Sequence, residues 1–142
     1  ARKIPVAMVQ DRASSLTSAS NAADWILITH RELGWDGAGA EQGWVSSLVS
    51  LRQSQGLRCA VVDIADIFDE FGYGLVTPQA IKDFLTYAYA SWQRPAPQYV
   101  LLVGDTSYDY KDNWASGTVN HVPGYLIYTT HLGETIADEG YT

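Results

Sequence analysis

The sequence predicts an α/β domain in which helices cover both faces of a parallel sheet. Three short runs, at residues 25–29 ("WILIT"), 57–63 ("LRCAVVD") and 99–105 ("YVLLVGD"), contain consecutive rather than alternating apolar residues, as strands buried on both faces do. Segments with helical spacing separate the runs, and the order strand, helix, strand, helix, strand is typical of parallel strands joined by crossovers. The chain has 142 residues, the length of one domain. We expect the strand order 2-1-3.

The segments around these strands are assigned in chain order. Residues 1–23 are predicted to be a linker that leads into a domain at residues 24–142, because "RASSLTSASNAA" is small and polar. The first helix follows the glycine-rich "RELGWDGAGAEQG", and its apolar positions are Trp44, Val45, Leu48, Val49 and Leu51. The second helix begins at Thr77 and Pro78, an N-cap followed by a proline in the first turn. Its apolar face consists of Ile81, Phe84, Leu85, Ala88 and Trp92.

Two further segments are expected to be connections rather than helices or strands of the sheet. Residues 64–76 form an acidic, aromatic connection with two glycines, which we expect to be irregular. Beyond residue 105 the chain shows no clear periodicity until about residue 123, and "YLIYTT" is then a candidate fourth strand. Loops longer than about 12–15 residues are usually functional.

Composition excludes several classes of function. The net charge is −7, and only nine Lys and Arg residues are scattered along the chain, which argues against nucleic-acid binding. No apolar run approaches the roughly 20 residues of a membrane helix. One cysteine excludes an internal disulfide and a cysteine-based zinc site.

The familiar catalytic and cofactor motifs are missing. "GAGAEQG" at residues 37–43 has a spacing one residue too long for a dinucleotide fingerprint and lies too far from the first strand. The sequence also lacks a phosphate-binding P-loop and a G-x-S-x-G elbow. Cys59 lies inside a predicted strand, where apolar neighbours would raise its pKa, so we expect a packing role.

Acidic residues after the third strand are weak candidates for a metal site. Asp105, Asp109 and Asp138 offer the oxygen ligands that calcium prefers, but their spacing is not that of an EF-hand. Asp105 and Asp109 are therefore expected to be structural acids of the long loop. No cofactor is expected, with calcium as the alternative.

Polar residues end each of the three predicted strands. These residues are His30, Asp63 and Asp105. The carboxyl ends of parallel strands share one edge of the sheet, where such folds place their sites. With the order 2-1-3, His30 and Asp105 would face each other across the switch point. The alternative, that polar residues merely end buried strands, stays open.

Several linked blocks resemble a known family. "LRQSQGLRCAVVDIADIFDEFGYG", "PQAIKDFLTYAYASW" and "YVLLVGDTSYDY" are similar to the N-terminal part of gingipain-type cysteine peptidase catalytic domains, and "HVPGYL" and "GETIADEGY" continue the similarity. The resemblance covers about residues 16–142. It implies a caspase-like or flavodoxin-like three-layer sandwich and a His/Cys dyad that hydrolyses peptide bonds.

The same resemblance implies that this chain lacks the dyad. In the family both dyad residues lie in the second half of the catalytic domain, beyond the matched segment. Cys59 and the three histidines, His30, His121 and His131, do not match the dyad motifs, so no catalytic residue is expected among these 142 positions.

Two hypotheses for function follow. In the first, the chain is the N-terminal subdomain of a gingipain-like cysteine endopeptidase and is inactive alone. Its partners would then be the second half of the catalytic domain and a peptide or protein substrate, and the resemblance implies an extracellular or cell-surface location. In the second, it is a non-catalytic caspase-like or flavodoxin-like module for binding or scaffolding. An exposed sheet edge would favour homodimers in either case.

Overall fold

A parallel three-stranded sheet forms the centre of the chain. The computed structural model describes residues 14–107, 109–115, 117, 120–131 and 133–141, with the backbone alone at 138 and 139. Strands β1 (Trp25–Thr29), β2 (Cys59–Asp63) and β3 (Tyr99–Val103) are arranged in the order β2-β1-β3. They pair in parallel and in register from first residue to last. The predicted order 2-1-3 is confirmed, and the carboxyl ends of all three strands share one edge.

Helices cover both faces of this sheet. Helix α1 (Arg31–Gly34) is a single turn, and α2 (Gly43–Ser54) packs on the face to which Trp25 and Leu27 point. Helices α3 (Ile64–Gly72) and α4 (Pro78–Ser91) pack on the opposite face. All five residues of β1 are buried, because alternate side chains of a central strand enter different layers. The predicted three-layer α/β sandwich is confirmed.

Helix α4 begins as the sequence predicts. The Thr77 hydroxyl accepts a hydrogen bond from the backbone N–H of Gln79 at 3.3 Å, and Pro78 occupies the first turn. Phe84, on the apolar face, is fully buried and meets Trp92 edge-on at a centroid distance of 5.7 Å. Aromatic pairs of this geometry stabilise a core beyond the area that they bury.

The segment that follows β2 corrects the sequence analysis. Residues 64–76 were expected to form an irregular connection, but nine of them form α3. Asp63 ends β2 and caps this helix at once, since its Oδ1 accepts a hydrogen bond from the Ala65 N–H at 3.0 Å. The helix ends where Tyr73 adopts a left-handed conformation with φ 53°, as helix C-termini often do.

The candidate fourth strand forms, but it does not join the parallel sheet among the described residues. Strand β4 (Tyr125–Thr129) pairs with β5 (Gly133–Ala137) in a separate antiparallel hairpin, and a 3₁₀ turn follows at Asp138–Tyr141. The hairpin is tied to α4, because the Tyr125 hydroxyl donates to Gln79 Oε1 at 3.0 Å.

The described part of the predicted linker, residues 14–23, is bound to the helical layer of α3 and α4. Both carboxylate oxygens of Glu70 accept hydrogen bonds from this segment, from Leu16 N–H at 2.9 Å and Thr17 N–H at 3.0 Å. The indole N–H of Trp92 donates to the Leu16 carbonyl at 2.9 Å. Residues 1–13 lie outside the described part of the chain, and the proposed boundary at residue 24 stays a prediction.

Candidate functional site at the carboxyl edge of the sheet

His30 lies at the carboxyl edge of the sheet, directly after β1. The end of β1 is held against β3 because the Thr29 hydroxyl donates to the Val103 carbonyl at 2.9 Å. His30 then caps α1, and its Nδ1 accepts a hydrogen bond from the backbone N–H of Glu32 at 3.3 Å. This cap orients the imidazole at the edge, and Glu32 follows two residues later in α1.

His121 reaches the same edge from a distant part of the sequence. The chain returns to the end of β3, where the Asp105 carbonyl accepts hydrogen bonds from the N–H groups of His121 at 2.9 Å and Val122 at 3.1 Å. Gly104 makes this approach feasible. A Cβ there would lie 2.7 Å from Val122 Cγ2 and 2.8 Å from His121 Cβ, closer than van der Waals contact permits.

His30, Glu32 and His121 form one cluster. The two imidazole centroids are 5.2 Å apart. Glu32 Oε2 lies 3.9 Å from His30 Nδ1 and 3.6 Å from His121 Nε2. The His121 side chain is 17% exposed and that of His30 is 28% exposed, whereas that of Glu32 is 68% exposed. Two partly buried imidazoles thus face one exposed carboxylate.

Asp63, the edge residue of β2, is committed to structural contacts. Its Oδ2 forms an ion pair with Arg31 Nε at 2.9 Å, and its Oδ1 caps α3. The Asp63 side chain is 12% exposed and that of Arg31 is 52% exposed, so only the carboxylate of this pair is shielded from water. The pair leaves little residual charge beside the histidine cluster.

The three edge residues predicted from the sequence therefore have different partners. His30, Asp63 and Asp105 all follow or end strands at one edge, but His30 contacts His121 and Glu32. The Asp105 carboxylate accepts a hydrogen bond from the adjacent Thr106 N–H at 2.9 Å. Sequence reasoning missed Glu32, whose only signal is its position two residues after His30, and His121, which no local pattern indicates.

Asp109, one of the acidic residues suggested as calcium ligands, has structural hydrogen-bond partners instead. Asp109 accepts hydrogen bonds from Asn113 Nδ2 at 2.7 Å and from the Trp114 N–H at 2.7 Å. Hydrogen bonds from Asn113 and Trp114 lower the pKa of Asp109, so this carboxylate holds a turn together. The Asp138 side chain lies outside the described residues. Within the described part of the chain, the group with metal-ligand spacing is His30, Glu32 and His121.

Cys59 lies at the opposite edge of the sheet. It is the first residue of β2, not a mid-strand residue as expected, and its thiol is directed at the Leu57 carbonyl at 3.6 Å. Burial raises the pKa of Cys59. Cys59 is aligned with Trp25 in the parallel pair of β2 and β1. Trp25 lies five positions before His30, and five residues of a strand span about 16 Å. The thiol therefore cannot form a dyad with the histidine cluster.

Comparisons with known proteins agree with this fold. The structure is similar to a chain of dimeric latent PorU from Porphyromonas gingivalis, with a TM-score of 0.58 and 18% sequence identity. The match covers 86% of this chain but only 12% of that chain. At this level of identity the likeness shows a shared fold. No curated protein matches the chain.

Among the described residues, none of the helices has the length and apolar character needed to cross a membrane. The family model of Peptidase family C25 matches residues 18–142, almost the whole of the segment where the sequence resembles gingipain-type domains. The chain belongs to peptidase family C25, the gingipain family.

Proposed function

We propose that the chain is the N-terminal subdomain of the catalytic domain of a gingipain-like cysteine endopeptidase, and that it does not hydrolyse peptides alone. The family match across residues 18–142 carries the assignment to this class of peptidase. The His/Cys dyad would then lie in a part of the full-length protein outside these 142 residues.

The surroundings of Cys59 support the inactivity of the isolated chain. A cysteine nucleophile needs a thiolate and a base within about 2.6–3.2 Å. Burial raises the pKa of Cys59, and its thiol donates to the carbonyl oxygens of Leu57 and Val49. A neutral thiol among carbonyl acceptors is a poor nucleophile.

The carboxyl edge supports a role for this subdomain beside the catalytic centre. Open parallel sheets place their sites outside the carboxyl ends of the strands. The partly exposed cluster of His30, Glu32 and His121 lies there, whereas Cys59 begins β2 at the other end. We therefore expect the peptide substrate and the second half of the catalytic domain to approach the carboxyl edge.

The test compares the isolated chain with the full-length protein on peptides that contain Arg or Lys. We expect hydrolysis by the full-length protein, no hydrolysis by residues 1–142, and no effect of Cys59→Ala on the full-length activity. An activity-based thiol probe should label the full-length protein at a cysteine other than Cys59. Activity of residues 1–142 that disappears with Cys59→Ala would contradict the proposal.

A non-catalytic caspase-like or flavodoxin-like module for binding or scaffolding is the second candidate. It is favoured by one observation, that the described residues do not bring Cys59 near a histidine. Full-length protein that neither cleaves peptides nor reacts with the thiol probe would support it.

We further propose an extracellular or cell-surface location, which detection of the protein in the cytoplasmic fraction alone would contradict.

A further inference from the structure

We propose that His30, Glu32 and His121 bind a divalent transition-metal ion, with Zn²⁺ as the ion best suited to these ligands. One nitrogen of each imidazole and one carboxylate oxygen all lie within 4.8 Å of one another. This proposal goes beyond the peptidase function and does not depend on it, since it concerns only the geometry of three side chains in this chain.

The chemistry of the ligands selects the ion. Imidazole nitrogen suits zinc and neighbouring transition metals, whereas Ca²⁺ and Mg²⁺ require shells composed of oxygen ligands. A set of two histidines and one carboxylate is a known zinc-binding combination, and it leaves a fourth position for water or another ligand. Calcium, which the loop acids suggested, is therefore not expected at this cluster.

The distances require only small movements. Zinc bonds to nitrogen and oxygen of about 2.0–2.2 Å in a tetrahedral site separate neighbouring ligand atoms by about 3.3–3.6 Å. Glu32 Oε2 lies 3.6 Å from His121 Nε2 and 3.9 Å from His30 Nδ1. Because the Glu32 side chain is 68% exposed, its rotation can shorten both of its distances. The ligand nitrogens of His30 and His121, which lie within 4.8 Å of each other, must approach by up to about 1.5 Å through rotation of the two rings.

The cluster can receive a cation without large costs elsewhere. His30 Nδ1 now accepts a hydrogen bond of 3.3 Å from the Glu32 N–H, longer than the usual 2.7–3.2 Å, so an ion that takes this lone pair displaces a weak bond. The neighbouring guanidinium of Arg31 is paired with Asp63 at 2.9 Å, which reduces its repulsion of the ion.

A bound ion would cross-link two distant parts of the chain. His30 and Glu32 follow β1, whereas His121 belongs to the segment that returns to the end of β3. An ion that binds only the folded state stabilises that state in proportion to its occupancy. With free Zn²⁺ at about one hundred times Kd, we expect the Tm to rise by roughly 5–10 °C.

The experiment is a calorimetric titration of the purified 142-residue chain with Zn²⁺ in chelator-free buffer. The variants are His30→Asn, Glu32→Gln and His121→Asn, and asparagine at position 30 keeps an acceptor for the α1 cap. The matched control is His131→Asn, since His131 is exposed in the turn before β5 and lies outside the cluster. We expect one ion per chain, affinity weakened at least about tenfold in each cluster variant, and no change in the control.

Three results would overturn the proposal: no Zn²⁺ binding, equal affinity in all variants, or loss of binding in His131→Asn alone. Circular dichroism checks that each variant is folded, and Glu32→Gln, which alters an exposed side chain, decides the outcome if a histidine variant unfolds. The visible absorption of Co²⁺ bound in place of Zn²⁺ gives a second reading, and its loss in Glu32→Gln is expected.

Discussion

Gly104→Ala perturbs the contact that brings His121 to the candidate site. A Cβ at position 104 would lie 2.7 Å from Val122 Cγ2, 2.8 Å from His121 Cβ and 3.3 Å from the Val122 backbone nitrogen. Carbon atoms pack best at about 3.5–4.0 Å. The backbone of the returning segment must therefore move away from β3 by roughly 0.8 Å to accommodate the methyl group.

The expected cost has two parts. Overpacking a close contact costs about 1–3 kcal/mol. The displaced segment also donates two hydrogen bonds to the Asp105 carbonyl, of 2.9 Å from His121 and 3.1 Å from Val122, and each contributes about 0.5–1.5 kcal/mol. We expect the free energy of unfolding to fall by about 2–6 kcal/mol and the Tm by about 6–20 °C, the upper values applying if both hydrogen bonds are lost.

Urea unfolding followed by circular dichroism measures this change, and Gly43→Ala is the matched control. Gly43 is the first residue of α2, and a Cβ there meets nothing within 4 Å. Alanine in a helix is favoured over glycine by up to about 1 kcal/mol, so the control should be neutral or stabilised. A Gly104→Ala protein with the midpoint of the wild type would refute the close return of His121 to β3.

Two further predictions concern the other contacts that anchor the fold. Hydrogen bonds from Arg58 lower the pKa of Asp24 from 3.8 to about 2, so the stability contributed by this carboxylate is complete above pH 3.8 and is lost as the pH falls through 2. The urea midpoint should fall in that window, and an Asp24→Asn protein with the same acid dependence would contradict the assignment. Glu70→Gln removes the charged acceptor for Leu16 and Thr17, so amide exchange at these two residues should accelerate by at least about tenfold. Unchanged protection there would show that residues 14–17 are held by other contacts.

The parallel sheet was predictable because its signal is local. Strand β1 coincides with "WILIT", and β2 and β3 lie within the predicted runs at 57–63 and 99–105. A central strand needs apolar side chains on both faces, and few other structures require so short an uninterrupted apolar run. The expected order 2-1-3 is that of flavodoxin-like sheets, and the crossover rules allow it but do not fix it.

Helix α3 was missed because no residue separates it from β2. Asp63 is the last residue of the strand and the N-cap of the helix at once, so the usual polar connection is missing. The helical signal was present, since Ile64, Ile67 and Phe68 are buried on one face and have the spacing of an amphipathic helix. The acidic residues and the two glycines that follow obscured this pattern.

The pairing of β4 depends on a partner that the sequence marks weakly. "YLIYTT" was identified as a strand, and its expected place was the parallel sheet. Its partner β5 reads "GETIA", which has neither a continuous nor an alternating apolar pattern. The positive φ of 69° at Gly133 begins β5 after a short turn. Local pairing through this turn requires no crossover, so the antiparallel hairpin is favoured.

Of the two histidines in the candidate site, His30 could be predicted from the sequence and His121 could not. The rule that parallel strands end at one edge placed His30 correctly, because it needs only the position of a strand end. His121 arrives through a tertiary contact whose determinant is the absence of a side chain at Gly104. A sequence window around His121 contains no trace of that contact. A glycine directly after an apolar strand, followed by a long loop with a histidine near its end, is the combined pattern that indicates such a return. Gly104→Ala should therefore weaken Zn²⁺ binding as well as stability, whereas damage to β3 alone would lower stability and leave the affinity of the folded protein unchanged.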